Sequence, residues 1–110
     1  DDLSRSLPER TPVRPGRAAT RVAVTLLLDA VAEKAPGRSV EVRVPPFAAV
    51  QCVEGTTHTR GVPPNVVETD PTTWIRLACG RTTWQAERDS GSVTASGSRA
   101  DAVGTLLPLV

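Results

Sequence analysis

The chain has 110 residues, 39% hydrophobic and 23% charged, with a formal net charge of +1. That length allows one domain with a single buried core, and the near-neutral balance removes any strong electrostatic case for nucleic acid or an anionic membrane. No apolar stretch approaches the roughly 20 residues that span a bilayer, so stable membrane insertion is not expected.

Residues 1–16 are polar and carry Pro8, Pro12 and Pro15. They read as an irregular N-terminal arm, ordered only where something docks it. Its arginines, Arg5, Arg10 and Arg14, read as a solvated tail rather than a phosphate-binding set. From Arg17 the period changes. Ala19, Val22, Ala23, Leu26, Leu27, Ala30 and Val31 recur at helical spacing, while Arg17, Arg21, Thr25, Asp29 and Glu33 step every four residues along the other side. This predicts an amphipathic helix of about 18 residues. Arginines at its start and acids at its end oppose the helix dipole, so packing must hold it. Pro36 and Gly37 end it.

In "SVEVRV", Val40, Val42 and Val44 alternate with Glu41 and Arg43, which predicts a half-buried strand stopped by Pro45-Pro46. "FAAVQCVEG" has apolar residues on both faces, which predicts a second strand covered on both sides. "TTHTRGVPPN" is a polar loop with the single histidine, His58, and "NVVETD" is a third strand. Asp70-Pro71 is a helix start, aspartate as cap and proline at the first position. That helix shows Trp74, Leu77 and Ala78 on one face and stops at Gly80. Thr82 to Gln85 fits a capping box, with Thr82 as cap and Gln85 reaching back. The helix it opens ends at Ser90-Gly91. "SVTAS" is a fourth strand with Val93 and Ala95 inward. Ser98 to Asp101 opens a last amphipathic helix along Val103, Leu106, Leu107 and Val110, with Pro108 placed to distort it. The order is helix, three strands, two short helices, strand, helix. It predicts an α+β domain over residues 17–110, with helices packed on a mainly antiparallel sheet.

Both tryptophans lie in "DPTTWIRLACGRTTWQAERDSGSVTASG", ten residues apart on either side of Gly80, in a chain whose only other aromatic is Phe47. Two readings stay open. Trp74, Leu77, Trp84, Leu106, Leu107 and Val110, with Val50 and Cys52, line a pocket for an apolar ligand, or they fill the core. His58, Arg60 and Asn65 form a polar mouth in which Arg60 holds a carboxylate or phosphate, or they tie their own loop together.

Enzyme motifs are mostly missing. One histidine and two distant cysteines give no tetrahedral metal set, and neither a Gly-x-Ser-x-Gly elbow nor a phosphate-binding loop occurs. Cys52 lies mid-strand, which argues against a Cys52–His58 nucleophile–base pair. No catalytic residue, metal or cofactor is expected. Cys52 and Cys79 allow one disulfide, but they read as two partly buried free thiols of a cytoplasmic protein. The arginine and alanine bias fits a GC-rich bacterial genome. No signal-peptide core is visible, although the chain begins at Asp1 rather than Met.

The element order and the quoted segment resemble the sterol-carrier-protein-2 superfamily. Asp70, Leu77, Gly80, Ala86, Gly91, Val93 and Gly97 occupy the places of an acidic residue before a short helix, a leucine near its end, a glycine, a second short helix and a Gly-x-x-x-x-x-Gly strand. "APGRSVEVRVPPFAAVQCVEG" and "HTRGVPPNVVETDP" look like the small actinobacterial branch of bacterial SCP orthologs. The resemblance covers Arg17 to Val110. It implies a curved, mainly antiparallel sheet of four to five strands with helices on one side and an apolar cavity between them. By function it implies a non-catalytic carrier of a fatty acyl group, an acyl-CoA or a sterol-like molecule. Two alternatives remain open: an interaction or self-association module with a filled cavity, such as a homodimer, and an accessory domain to a thiol-dependent enzyme of the maleylpyruvate isomerase-like type.

Overall fold

A computed structural model describes residues 16–55 and 65–110. The expected N-terminal arm, His58 and Arg60 lie outside the described residues, apart from Gly16.

Helix α1 (Arg17–Lys34) turns Val24, Leu28 and Val31 fully inward. They are spaced by four and three residues, so they form one stripe. Four strands follow the predicted positions: β1 (Val40–Val44), β2 (Ala48–Cys52), β3 (Val66–Thr69) and β4 (Val93–Ser96). They form one sheet in the order β2-β1-β3-β4. The β1–β2 and β3–β4 pairs are antiparallel and the central β1–β3 pair is parallel. The registers align Val42 with Val50 and Val67, and Val67 with Ala95. One face therefore carries Val40, Val42, Val44, Val67 and Val93, all buried, and the helices cover it. The other face carries Glu41, Arg43, Gln51, Glu68 and Thr94; Arg43 and Glu41 pair there at 2.8 Å.

Two covered faces were expected for β2, and the structure corrects this. Only Ala48, Val50 and Cys52 turn toward the helices; Ala49 and Gln51 are exposed. β2 is an edge strand, and a small side chain such as Ala49 gains little from cover. Val53 leaves that face because its backbone turns to φ 65° just after the strand.

Helix α2 (Pro71–Ala78) starts as its sequence predicts. One Asp70 carboxylate oxygen accepts from the Thr73 N–H and the other from the Thr73 hydroxyl, both at 2.8 Å. Helix α3 (Trp84–Ser90) starts one residue later than expected. Thr83, not Thr82, is its cap and accepts from Ala86 N–H at 3.2 Å. Thr82 donates instead to Glu87 at 2.6 Å, and Gln85 reaches forward to Asp89 at 2.7 Å rather than back.

The last helix is also corrected. Residues Ala100–Leu106 form a 3-10 helix, with no side-chain cap at Arg99. Leu107 is extended, as the residue before a proline prefers to be. The expected helical face therefore splits. Val103 is buried and Leu106 and Leu107 are half-buried, but Val110 is 78% exposed. The segment after the helix is fastened to α2: the Leu109 and Val110 N–H groups both donate to the Ala78 carbonyl, at 2.8 and 3.2 Å. Lys34 adds a bond from its Nζ to the Leu106 carbonyl at 2.7 Å.

Candidate functional site

The two tryptophans have different surroundings. Trp74, on α2, is fully buried in the core with Leu28, Val42 and Val103. Trp84, the first residue of α3, is half-buried and lies on a groove of about 780 Å³. The groove runs between the end of α2, the 81–83 turn, α3, the 3-10 helix and Pro108. Trp84, Leu107 and Pro108 give it an apolar wall, with Leu77 beneath. Thr82, Thr83, Gln85, Asp89 and Thr105 give it a polar rim.

The indole of Trp84 is held from two directions. Its Nε1–H donates to Asp101 Oδ1 at 2.8 Å, and Arg88 Nε donates to the same oxygen at 3.0 Å. These bonds favour the charged form, first Arg88 and then Trp84, so the Asp101 carboxyl sits below the usual carboxylate range. At neutral pH the group is ionised and the hydrogen-bonded chain is complete. From below, Gly104 meets the ring directly: a Cβ built there would fall 2.5 Å from Trp84 Cγ and 2.6 Å from Cδ1. Glycine at 104 therefore lets the indole lie flat against the 3-10 helix.

Substituting Gly104 by alanine is expected to push the indole off its seat and break its bond to Asp101. Overpacking of this kind costs about 1–3 kcal/mol, less here because the ring borders open space. Chemical denaturation gives the cost, and a changed near-ultraviolet circular dichroism spectrum reports the moved ring.

The structure brings Trp84 and Leu107 of the expected ligand set together on the groove, while Leu77 lies beneath it as a core side chain only 2% exposed. Val50 and Cys52 lie on the inner face of β2, on the side where α1 packs. Trp74 is in the core, Leu106 packs against it, and Val110 is on the surface. Asn65, from the expected polar mouth, is 4% exposed. Its Nδ2 donates to the Ser39 carbonyl at 2.7 Å and its Oδ1 accepts from Arg99 N–H at 2.9 Å, so it ties β1 to the start of the 3-10 helix. Sequence reasoning missed Asp101, Arg88 and Gly104. Gly104 alone left a signal, a glycine inside an otherwise helical apolar pattern.

A family model described as bacterial SCP ortholog matches residues 16–109. The chain belongs to this family. Among solved structures, sterol carrier protein 2 from Yarrowia lipolytica, in its apo form, is similar at 8% identity and a TM-score of 0.44, over 86% of this chain and 91% of that one. No curated protein matches the chain. In this SCP ortholog the candidate site is thus built almost wholly from the second half of the sequence, where the family resemblance had its motif. Among the described residues no group of histidine, cysteine and acidic side chains is gathered for a metal, and no helix is long and apolar enough to cross a membrane.

Proposed function

We propose that this SCP ortholog is a carrier that binds a small amphipathic molecule, with the apolar body of the ligand against Trp84. Fatty acyl groups, acyl-CoA and sterol-like molecules are the ligand classes this reading covers. The observation that carries it is the half-exposed indole of Trp84, fixed by Asp101 and Gly104 on the wall of the groove. A rigid aromatic face held open to a concavity offers contact area at little entropic cost. The groove volume lies within the ordinary range of ligand sites.

The chemistry of the groove suits such a ligand. Trp84, Leu107 and Pro108 remove apolar area from water, at about 0.8 kcal/mol per buried CH₂. The threonine and glutamine rim offers hydrogen bonds to the polar end of a ligand, and among the described residues Arg88 is the one cation on the groove lining. A carrier role also fits Cys52. Burial pushes its thiol up to about 11, so at neutral pH it is protonated and a poor nucleophile.

Titration with a fluorescent fatty acid, an acyl-CoA and a fluorescent sterol tests the proposal. At least one should bind saturably and change tryptophan emission. Trp84→Ala should weaken that binding about tenfold or more. Its stability cost should stay clearly below the 3–5 kcal/mol typical of a buried tryptophan. No saturable binding of any probe, or binding that Trp84→Ala leaves intact, would count against the reading.

A further inference from the structure

Away from the groove, α1 leaves large apolar side chains in water: Val22 is 56% and Leu26 63% exposed. They are one helical turn apart, and exposed Ala18 continues the row. Beside it runs the row Arg17, Arg21, Thr25, Asp29 and Glu33. Among the described residues, Arg21, Asp29 and Glu33 form no ion pair. The arrangement also opposes the dipole of its own helix, so nothing within α1 accounts for it. α1 packs on β2 and against α2, and among the described residues β2 ends the sheet. Its residues, Ala48–Cys52, contain no charge and no proline, the devices that usually block an edge strand.

We propose that this edge joins a second copy of the chain. β2 pairs antiparallel with β2 of the second copy, and the two α1 helices lie antiparallel above the joined strands. Simple distances agree with this placement. Strands about 4.8 Å apart put each β2 about 2.4 Å from the two-fold axis. Helices packed at 8–10 Å put each α1 about 4–5 Å from it, which is above β2, where α1 sits. The charges agree too. Arg21 and Asp29 lie one helical turn on either side of Thr25, and Arg17 and Glu33 two turns. An antiparallel crossing at Thr25 sets Arg21 of each copy against Asp29 of the other, and both helix dipoles are opposed. Arg17 already leans over the Phe47 ring, 5.3 Å from its centroid, so the Arg21–Asp29 pairs carry the selectivity. A parallel crossing would set arginine against arginine. No α1 residue lines the groove, so this surface is separate from the ligand site.

Sedimentation velocity on the full chain, from low micromolar to submillimolar concentration, tests the proposal. The expected species has twice the 11.6 kDa chain mass. Asp29→Arg turns two attractions into two repulsions and should raise the dimer Kd about tenfold or more. Arg21→Asp should do the same, and the double variant, with the signs exchanged, should recover the original Kd. These side chains are exposed, so far-ultraviolet circular dichroism should not change, and ligand titration should be unaffected in all three variants. A wild-type chain that stays monomeric throughout overturns the proposal. So does a dimer whose Kd the single variants do not move, or one that the double variant fails to restore.

Discussion

Trp74→Ala is expected to lose about 3–5 kcal/mol of folding stability, a large share of the 5–15 kcal/mol that a domain of this class usually has. Trp74 is the largest fully buried side chain of the described residues. It belongs to the same core cluster as Leu28 of α1, Val42 of β1 and Val103 of the 3-10 helix. Removing the indole leaves a cavity that those neighbours, each fixed on a different element, cannot close. One detail sharpens the test. Among the described residues, Trp74 Nε1 is buried without a hydrogen-bond partner. Trp74→Phe removes that unpaired donor together with part of the ring, so it should cost clearly less than alanine. Urea melts of both variants check this. A loss of under about 1 kcal/mol for alanine would mean that Trp74 borders space rather than packing.

Gly37→Ala is expected to be nearly as severe, at about 3–5 kcal/mol. Gly37 has φ +152°, and a Cβ there would overlap the backbone of Val53 and the Glu54 nitrogen. Backbone cannot swing aside as a side chain can. The clash falls where the loop after α1 grips the end of β2. Val53 N–H donates to the Ala35 carbonyl at 2.7 Å, and Ser39 gives the Val53 carbonyl both its N–H, at 3.0 Å, and its hydroxyl, at 2.6 Å. Moving Val53 strains all three bonds. Val53 itself holds φ 65°, a costly conformation for a β-branched residue, so this join has little slack. Denaturant midpoints of wild type and variant give the loss, and an unchanged midpoint would show that the loop relaxes freely.

Much of the fold was legible because local signals agreed. In β1 the alternation matched the buried face, and at Asp70-Pro71 the cap and the first helical residue pointed the same way; α1 formed where its period predicted, but it turns Val24, Leu28 and Val31 inward and leaves the expected Val22 and Leu26 in water. The errors arose where neighbours far along the chain decided. Thr82 and Thr83 are equivalent caps on paper; contact of Thr82 with Glu87 selects Thr83. β2 looked doubly covered because its position at the sheet edge is not written in its own residues. The C-terminal apolar spacing fitted an α-helix, but Gly104 beneath Trp84 and the backbone limit imposed by Pro108 give a short 3-10 turn and leave Val110 in water. The candidate site was half visible. Its apolar wall follows from Trp84 and Leu107, whereas the Trp84–Asp101–Arg88 chain joins residues up to 17 apart in sequence, and no pattern announces it.

The two thiols differ in a way that is useful at the bench. Cys52 is enclosed and held protonated, while Cys79 is exposed where α2 ends. Its neighbour Gly80 sits against Pro108, on the groove wall. A maleimide dye added to the native protein should therefore attach at one position, Cys79, in the short segment between α2 and the groove residues Thr82 and Thr83. The unmutated chain carries its own attachment point for an optical reporter of occupancy.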